Sequence, residues 1–309
     1  MLHCEAKLLR SGLGNRLFPW ARCRIFSHLH GVPMLAPRWP QLAIGPVLRR
    51  ERDLRTYANL FSQRPGDVTG WQRAWVKLRA TRIAEPALLS AAPPRKTSLG
   101  LVVFEGYETQ FRPLHGWNEL LRNELLAMTR PQWRQKAAVA SPYIAIHVRR
   151  GDFQRPNAQT DHSRVDNMAT PLSWFVASLK AVRAHLGVTV PAVVTSDGDP
   201  DELRPLLDLD NVRQVATGSA IGDLLTLSRA ALLLASGSSF SAWASYLGRM
   251  PTLSHPGQSL RRLFQLEGAG RQFLAEFDPS DRLPELLLPA LRDLIERPAI
   301  ALCTGAKAF

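Results

Sequence analysis

Apolar and polar positions alternate regularly through the second half of the chain. Short apolar runs predict strands over residues 144–148, 192–195, 212–215, 232–235 and 252–253. Between them, apolar residues spaced three and four apart predict helices over residues 171–186, 201–207, 221–229 and 239–247. Strands that alternate with helices in this way form a parallel sheet with helices on both faces. The pattern therefore predicts an α/β fold with a Rossmann-like second half.

The first half begins with a strand, a glycine-rich turn and a helix. Residues 2–9 predict the strand and residues 16–29 the helix, with Gly12, Gly14 and Asn15 between them. Such a turn offers backbone N–H groups and a helix N-terminus to an anion. Any tight turn between a strand and a helix also favours glycine, so the motif by itself is weak evidence. We take Gly14 and Asn15 as candidate ligand contacts.

Another predicted helix of the first half carries large aromatic side chains. Within residues 70–84, Trp71, Trp75, Leu78 and Arg82 recur at helical spacing. This pattern is more often core packing than a ligand site. We therefore expect these side chains to be buried.

The length of 309 residues predicts two domains. We place an N-terminal domain with the glycine-rich turn at residues 1–138 and a C-terminal Rossmann-like domain at residues 139–309. The tail over 281–297 predicts a further apolar helix, which could pack back on the first domain.

Polar residues follow the predicted strands of the second domain at the point where each strand ends. They are His147, Arg149, Arg150 and Asp152, then Ser196 and Asp197, then Asp223, and finally Ser236 to Ser239. Ligands of open α/β sheets bind beyond the carboxyl ends of the strands, and the forked donors of arginine suit phosphate oxygens. The joint placement predicts a site for a nucleotide diphosphate.

Each of these residues also has an ordinary structural explanation when taken singly. Asp223 and Ser238 could be helix N-caps, and Asp197 could be a turn former. His147 could be an interior residue with its hydrogen bonds satisfied. An Arg–Asp salt bridge could simply hold a surface turn.

The acidic run over 197–201 invites two metal hypotheses, an EF-hand-like loop and the Asp-x-Asp of metal-dependent sugar transferases. An EF-hand requires glycine at its sixth position and glutamate at its twelfth, where this chain has Glu202 and Asp208. The run also precedes a predicted helix, whose N-terminus stabilises carboxylates without an ion. We therefore expect neither a metal nor a cofactor.

The net charge of +13 comes almost entirely from arginine. The arginines are scattered, without a basic helix or an aromatic RNA-binding signature, so we expect no nucleic-acid partner. Diffuse positive charge suits an anionic substrate or an anionic membrane surface. The sequence contains three cysteines and no apolar run of membrane-spanning length, and its first ten residues lack the long apolar centre of a signal peptide. We expect a cytoplasmic protein, with peripheral attachment to the inner membrane as one option.

Five stretches, in the same order along the chain, carry a family resemblance. They are GLGNRLF at 12–18, EGY at 105–107, IAIHVRRGDF at 144–153, VVTSD at 193–197 and DLLTLSRAALLLASGSSFSAWASYLG at 223–248. The chain resembles the bacterial α-1,2-fucosyltransferases of glycosyltransferase family 11. The resemblance implies a GT-B fold, with two Rossmann-like domains facing a cleft.

The resemblance also implies a reaction. Fucose would pass from GDP-fucose, held mainly by the second domain, to a galactoside hydroxyl of a glycan acceptor such as an O-antigen unit, which could be lipid-linked. Transfer would invert the anomeric centre, form an α-1,2 linkage and need no metal. Alternatives are a GDP-sugar transferase with another sugar or linkage, and a non-catalytic nucleotide-binding protein.

The family motifs assign roles to individual residues. Arg149 and Arg150 match the paired arginines at the diphosphate, and Asp152 matches the carboxylate that closes the motif; these three form the predicted catalytic set. His147 matches the histidine beside the nucleotide, and Asn15 matches the asparagine of the first-domain loop that faces the donor.

The donor-binding set is completed by Asp223, Ser238 and Ser239, which match guanosine-side positions, and by Gly14, Ser196 and Asp197. Glu108 and Asp152 are candidates for the base that deprotonates the acceptor. The chain departs from the family in three notable places: Arg16 replaces a glutamine, Gly198 the second aspartate after Ser-Asp, and Gly237 an asparagine.

Overall fold

The computed structural model describes residues 1–40, 56–92, 98–139, 142–155, 167–264, 274–287 and 291. The chain divides into two compact units. Unit 1 comprises Met1–Arg134 and Leu263–Gln265, and unit 2 comprises Gln135–Arg262 and Leu266–Phe309. Both contain a parallel sheet and helices, so the predicted α/β class is confirmed.

Unit 1 has a four-stranded sheet in the order β2-β1-β4-β3, and all its pairings are parallel. Its strands are β1 (Leu2–Ala6), β2 (Met34–Leu35), β3 (Thr81–Ala84) and β4 (Gly100–Phe104). Its described helices are α1 (Leu13–His30), α2 (Gly70–Arg79), α3 (Asn118–Met128) and α4 (Pro131–Lys136), the last of which runs into unit 2.

Helix α1 begins three residues earlier than predicted. The backbone N–H of Leu13 donates to the Tyr57 hydroxyl at 2.9 Å, which gives the first helical donor a partner. Gly14 and Asn15 therefore lie in the first turn of the helix, not in the preceding loop. The helix ends at Gly31, whose left-handed conformation is a common helix C-cap.

Helix α2 is shorter than predicted, and the expectation of buried aromatic side chains on it is wrong. The helix ends at Arg79, and Arg82 lies in strand β3 instead. The face that packs inward carries Arg73 and Val76. Val76 belongs to a small apolar cluster with Leu35 and Leu101.

Unit 2 has a six-stranded sheet in the order β10-β9-β8-β5-β6-β7, again entirely parallel. Its strands are β5 (Ile144–Val148), β6 (Ala192–Ser196), β7 (Val212–Gln214), β8 (Leu232–Ala235), β9 (Thr252–Ser254) and β10 (Leu274–Glu276). Its described helices are α5 (Leu172–Leu186), α6 (Arg204–Leu207), α7 (Ala220–Ser228), α8 (Ser239–Gly248) and α9 (Arg261–Phe264), the last of which runs into unit 1.

The order of these strands is that of a Rossmann sheet. From one edge, the unit's strands follow as its third, second, first, fourth, fifth and sixth. The order reverses between β5 and β8, where α/β sheets bind ligands beyond the strand ends. All five residues of β5 and all four of β8 are buried, which explains their nearly continuous apolar sequence. We therefore expect a ligand of this sheet to bind beyond the carboxyl ends of β5 and β8.

Two further predictions concern a membrane-spanning segment and the helix of the C-terminal tail. Among the described residues, no helix is long and apolar enough to span a membrane. Most of the predicted C-terminal helix over 281–297 lies outside the described residues.

Candidate functional site

Strands β5 and β8 are joined at their carboxyl ends by Ser236. Its hydroxyl donates to the carbonyl of His147 at 2.8 Å and accepts from the backbone N–H of Arg149 at 2.9 Å. Ser236 is completely buried. This contact fixes the direction in which the chain leaves β5, and so places the two arginines at the switch point.

Arg149 lies between two carboxylates. Its guanidinium forms ion pairs with Asp152 and Asp197 and lies 5.4 Å from the centre of the Phe153 ring. The Arg149 and Asp152 side chains are 21% and 31% exposed. Exposed ion pairs contribute little to stability, so a stronger anionic ligand can compete for this guanidinium.

Arg150 is held more tightly than Arg149. Its backbone N–H donates to Asp197 at 2.7 Å, and its Nη1 donates to the carbonyl of Thr170 at 2.7 Å. Its Nε lies 3.0 Å from Glu202 Oε1, and Arg155 Nη2 lies 3.3 Å from Oε2 of the same carboxylate. The Arg150 side chain is only 11% exposed. Arg150 is therefore oriented in advance of any ligand.

Gly151 and Gly198 let the two loops approach each other. A Cβ atom on Gly151 would overlap the Asp197 carboxylate, and its φ of +22° is unusual for other residues. A Cβ on Gly198 would lie 2.8 Å from Cγ of Arg150. The glycine at 198, where the family has an aspartate, is thus required here by the packing of Arg150.

Ser196 and Asp197 act as structural partners of the arginine loop. The Ser196 hydroxyl donates to the carbonyl of Val148 at 2.7 Å and accepts from the N–H of Gly198 at 3.0 Å. Asp197 binds the side chain of Arg149 and the backbone of Arg150. The first carboxylate of the acidic run is thus committed to arginine. Within the described ranges, no three His, Cys, Asp or Glu side chains cluster as metal ligands would.

His147 is an interior residue. Its Nδ1 lies 2.7 Å from the Ser241 hydroxyl, and its ring lies 5.0 Å from that of Phe240. Burial, reinforced by the charge of Arg149, lowers the pKa of His147 to about 3. The imidazole is neutral at physiological pH and supports α8 through Ser241.

The serine-rich turn opens helix α8 directly after β8. Ser238 is its N-cap, accepting a hydrogen bond from the N–H of Ser241 at 3.2 Å, so the capping interpretation of Ser238 is confirmed. Ser239 is the first helical residue and is half-buried. The positive end of the α8 dipole thus lies at the switch point, where it favours an anion.

Asp223 lies in the first turn of helix α7, which follows strand β7 along the chain. Its carboxylate accepts from the backbone N–H of Thr217 at 3.0 Å and from the Thr217 hydroxyl at 2.8 Å. The N-cap of α7 is Ser219, so the capping explanation of Asp223 is wrong. Asp223 instead holds the loop that follows β7.

The predicted residues of unit 1 lie at the N-terminus of α1. Gly14 is buried and Asn15 is half-buried. The neighbouring Arg16 is completely buried, with Nε donating to the Ser11 carbonyl at 2.9 Å and Nη1 to the Trp39 carbonyl at 2.7 Å. Glu108, a candidate base, is exposed in the same unit.

The structure therefore brings Arg149, Arg150, Asp152, Ser196 and Asp197 into one contact network. His147 in β5 contacts Ser241 of α8, and Ser238 and Ser239 form the start of that helix. Asp223 contacts Thr217. Thr170 and Glu202, two partners of Arg150, were not predicted from the sequence. Neither residue lies in a recognisable motif, so only the fold could identify them.

Residues 104–254 match the model of Glycosyl transferase family 11, and this segment contains the whole network. The matched segment is just under half of the chain. A comparison with curated proteins finds no match.

Solved structures of fucosyltransferases are similar in fold. The fucosyltransferase NodZ from Bradyrhizobium matches with a TM-score of 0.53 at 13% identity, over 82% of this chain and 95% of that one. NodZ alpha-1,6-fucosyltransferase soaked with GDP-fucose gives 0.51 at 13% identity over the same shares. POFUT1 in complex with GDP gives 0.50 at 12% identity, over 82% of this chain and 98% of that one. These likenesses confirm the GT-B type of α/β fold.

Proposed function

We propose that the protein transfers fucose from GDP-fucose to a galactoside hydroxyl of a glycan acceptor, with inversion, in an α-1,2 linkage and without a metal. One observation carries the proposal: Arg149 and Arg150 leave β5 where the strand order reverses, inside the segment that matches family 11. The GDP-fucose and GDP named with NodZ and POFUT1 support the choice of donor.

In this proposal the two arginines have different tasks. Arg150, held by Asp197 and Thr170, presents a fixed cation to the diphosphate. Arg149 exchanges its contact with the exposed Asp152 carboxylate for a phosphate oxygen. As GDP departs, negative charge develops on the β-phosphate, and donors that are already oriented stabilise that charge.

The residues around the two arginines supply further hydrogen-bond donors and contact the substrates in this proposal. Backbone N–H groups at the start of α8 supply further donors for phosphate, and neutral His147 holds that helix through Ser241. Asp223 and Ser239 are proposed to contact the guanosine, and Gly14 and Asn15 the donor. Deprotonation of the acceptor hydroxyl is assigned to Glu108 or Asp152, with Asp152 better explained as a partner of Arg149.

The finer parts of the proposal depend on the resemblance of the five sequence stretches. They are the galactoside acceptor, the α-1,2 linkage and a lipid-linked glycan of O-antigen type as the final substrate. Work on such an acceptor would place the protein on the cytoplasmic face of the inner membrane, where a net charge of +13 favours anionic lipids.

A donor and linkage screen tests the proposal. The purified protein is titrated calorimetrically with GDP-fucose, GDP-mannose and UDP-galactose, and then incubated with each donor and a galactoside. We expect heat of binding for both GDP-sugars, turnover with GDP-fucose alone, and an NMR-assigned α-1,2 product. Transfer of another sugar, or a product with another linkage, would replace that part of the proposal. GDP binding without any transfer would indicate a non-catalytic nucleotide-binding protein.

A further inference from the structure

Helix α2 (Gly70–Arg79) exposes an apolar face. Trp71, Trp75 and Leu78 are 76%, 50% and 80% exposed, although side chains of this size are usually buried. At 100° per residue these positions fall within ~60° of one another around the helix axis, so they form one stripe. Single exposed apolar residues need no explanation, but an aligned group of three marks an interaction surface.

The opposite face of α2 is firmly attached to unit 1. Arg73 and Lys77 both bind the buried Glu5 carboxylate of β1, at 2.8 and 2.7 Å. Val76 packs against Leu35 and Leu101. The helix is thus anchored on one side and presents a rigid tryptophan-containing stripe on the other.

The segment that carries the stripe contains only positively charged side chains among its ionisable residues. Residues 70–82 contain four basic residues and no acidic residue. Arg73 and Lys77 are used by Glu5, whereas Arg79 and Arg82 are exposed at the end of the stripe. An occupant of this surface must therefore accept apolar side chains and offer negative charge beside them.

We propose that this stripe, with Arg79 and Arg82, docks the protein on an anionic membrane surface. Tryptophan rings prefer the headgroup level of a bilayer, leucine enters the acyl boundary, and arginine pairs with lipid phosphate. A second copy of the chain suits the surface less well, because a twofold contact would bring like charges together. The inference deepens the membrane attachment included in the proposed function and is independent of the transfer chemistry.

Vesicle flotation tests the assignment. Parent protein is mixed with phosphatidylcholine vesicles, with or without phosphatidylglycerol, at low and high salt. We expect binding to anionic vesicles that weakens with salt. The triple variant Trp71→Ser, Trp75→Ser, Leu78→Ser should lose at least about tenfold in partitioning, because three side chains no longer enter the bilayer.

Two further variants make the test specific. Arg79→Gln with Arg82→Gln should weaken binding to anionic vesicles and leave binding to neutral vesicles unchanged. Val188→Ser removes an apolar side chain that is 45% exposed in unit 2, and it should bind like the parent. Thermal unfolding verifies that every variant is folded, and turnover with a soluble acceptor should be unchanged, so a failure of docking is distinguishable from a failure of the transferase function.

Three outcomes would overturn the proposal. The folded triple variant could partition like the parent. The parent could ignore vesicles but form a dimer that the triple variant does not form, which would assign the stripe to a second copy. It could also ignore vesicles and retain a single-stranded oligonucleotide through the same residues, which would assign the stripe to nucleic acid.

Discussion

Arg16 in unit 1 and the pair Arg149 and Arg150 in unit 2 each follow the carboxyl end of a strand, but their surroundings differ. In unit 1, Arg16 follows a glycine-rich turn after β1 and is completely buried, with the carbonyls of Ser11 and Trp39 as partners. In unit 2, Arg149 and Arg150 follow β5 and remain partly exposed, with carboxylates among their partners. We expect an arginine whose partners are partly exposed carboxylates to be available to a ligand, and an arginine held by carbonyls inside the fold to be structural.

The two kinds of contact differ in how easily the arginine can exchange its partner for a ligand. A buried carbonyl that loses its donor has no water to replace it, so the contacts of Arg16 are permanent. A partly exposed carboxylate regains water when its arginine moves to a phosphate, so the contact of Arg149 with Asp152 can be exchanged. The four predictions below test this contrast, in order of decreasing effect.

The largest effect is expected from replacing Arg149 or Arg150 with lysine, one at a time. Charge is preserved but the planar fork is lost, so at least one variant should lose roughly 10²-fold or more in turnover, about 2.7 kcal/mol of transition-state stabilisation. Thermal unfolding should barely change for Arg149→Lys, because the contacts of Arg149 are partly exposed ion pairs. Arg155→Lys is the control, because that side chain is 78% exposed and, like Arg150, forms an ion pair with Glu202. Near-parental turnover in both variants would remove the pair from the diphosphate site.

The second effect concerns the contribution of Arg16 to the stability of the protein. Arg16→Met leaves the carbonyls of Ser11 and Trp39 without these donors, and it should reduce the free energy of unfolding by about 2 kcal/mol. Urea unfolding measures the loss. The exposed Arg10→Met should stay within about 0.5 kcal/mol of the parent. An Arg16 variant that is stable but inactive would contradict the contrast, since it would place Arg16 among the ligand contacts.

The third effect is a pH dependence that originates at His147. Its folded pKa of about 3 lies below the unfolded value of 6.5, so the unfolded chain binds the proton more readily between these values. Stability should therefore fall as pH decreases from 6.5 toward 3, with a contribution from this group of up to about 1.4 kcal/mol per pH unit.

The variant His147→Asn isolates that contribution. Asparagine keeps a polar group near the position of Nδ1 but has no basic site, so the slope of stability against pH should become shallower. His185→Asn, at an exposed position, should keep the parental slope. Identical slopes in all three proteins would mean that His147 is not the group that titrates.

The smallest effect is expected from a chelator. If the arginines supply the charge that stabilises departing GDP, turnover should be unchanged after dialysis against EDTA. Activity that disappears and returns with magnesium or manganese would contradict this expectation. It would also return attention to the acidic run over 197–201.

The pattern of the sequence predicted unit 2 well, because the signals that define its strands are local. The run 232–235 matches β8 residue for residue, and the runs at 144–148 and 192–195 match β5 and all but the last residue of β6. The gathering of polar residues at the strand ends followed from one rule of parallel sheets. Strand β10 was not predicted, because its sequence Leu-Ala-Glu is not an apolar run.

Burial and partner choice were decided only by the tertiary structure. The spacing of Trp71, Trp75 and Leu78 defines a helical stripe, but the same spacing suits a buried face or an exposed one. The ion pairs of Arg73 and Lys77 with Glu5 turn the stripe outward. Periodicity reports which residues share a face, whereas the side to which that face turns depends on contacts between residues far apart in the sequence.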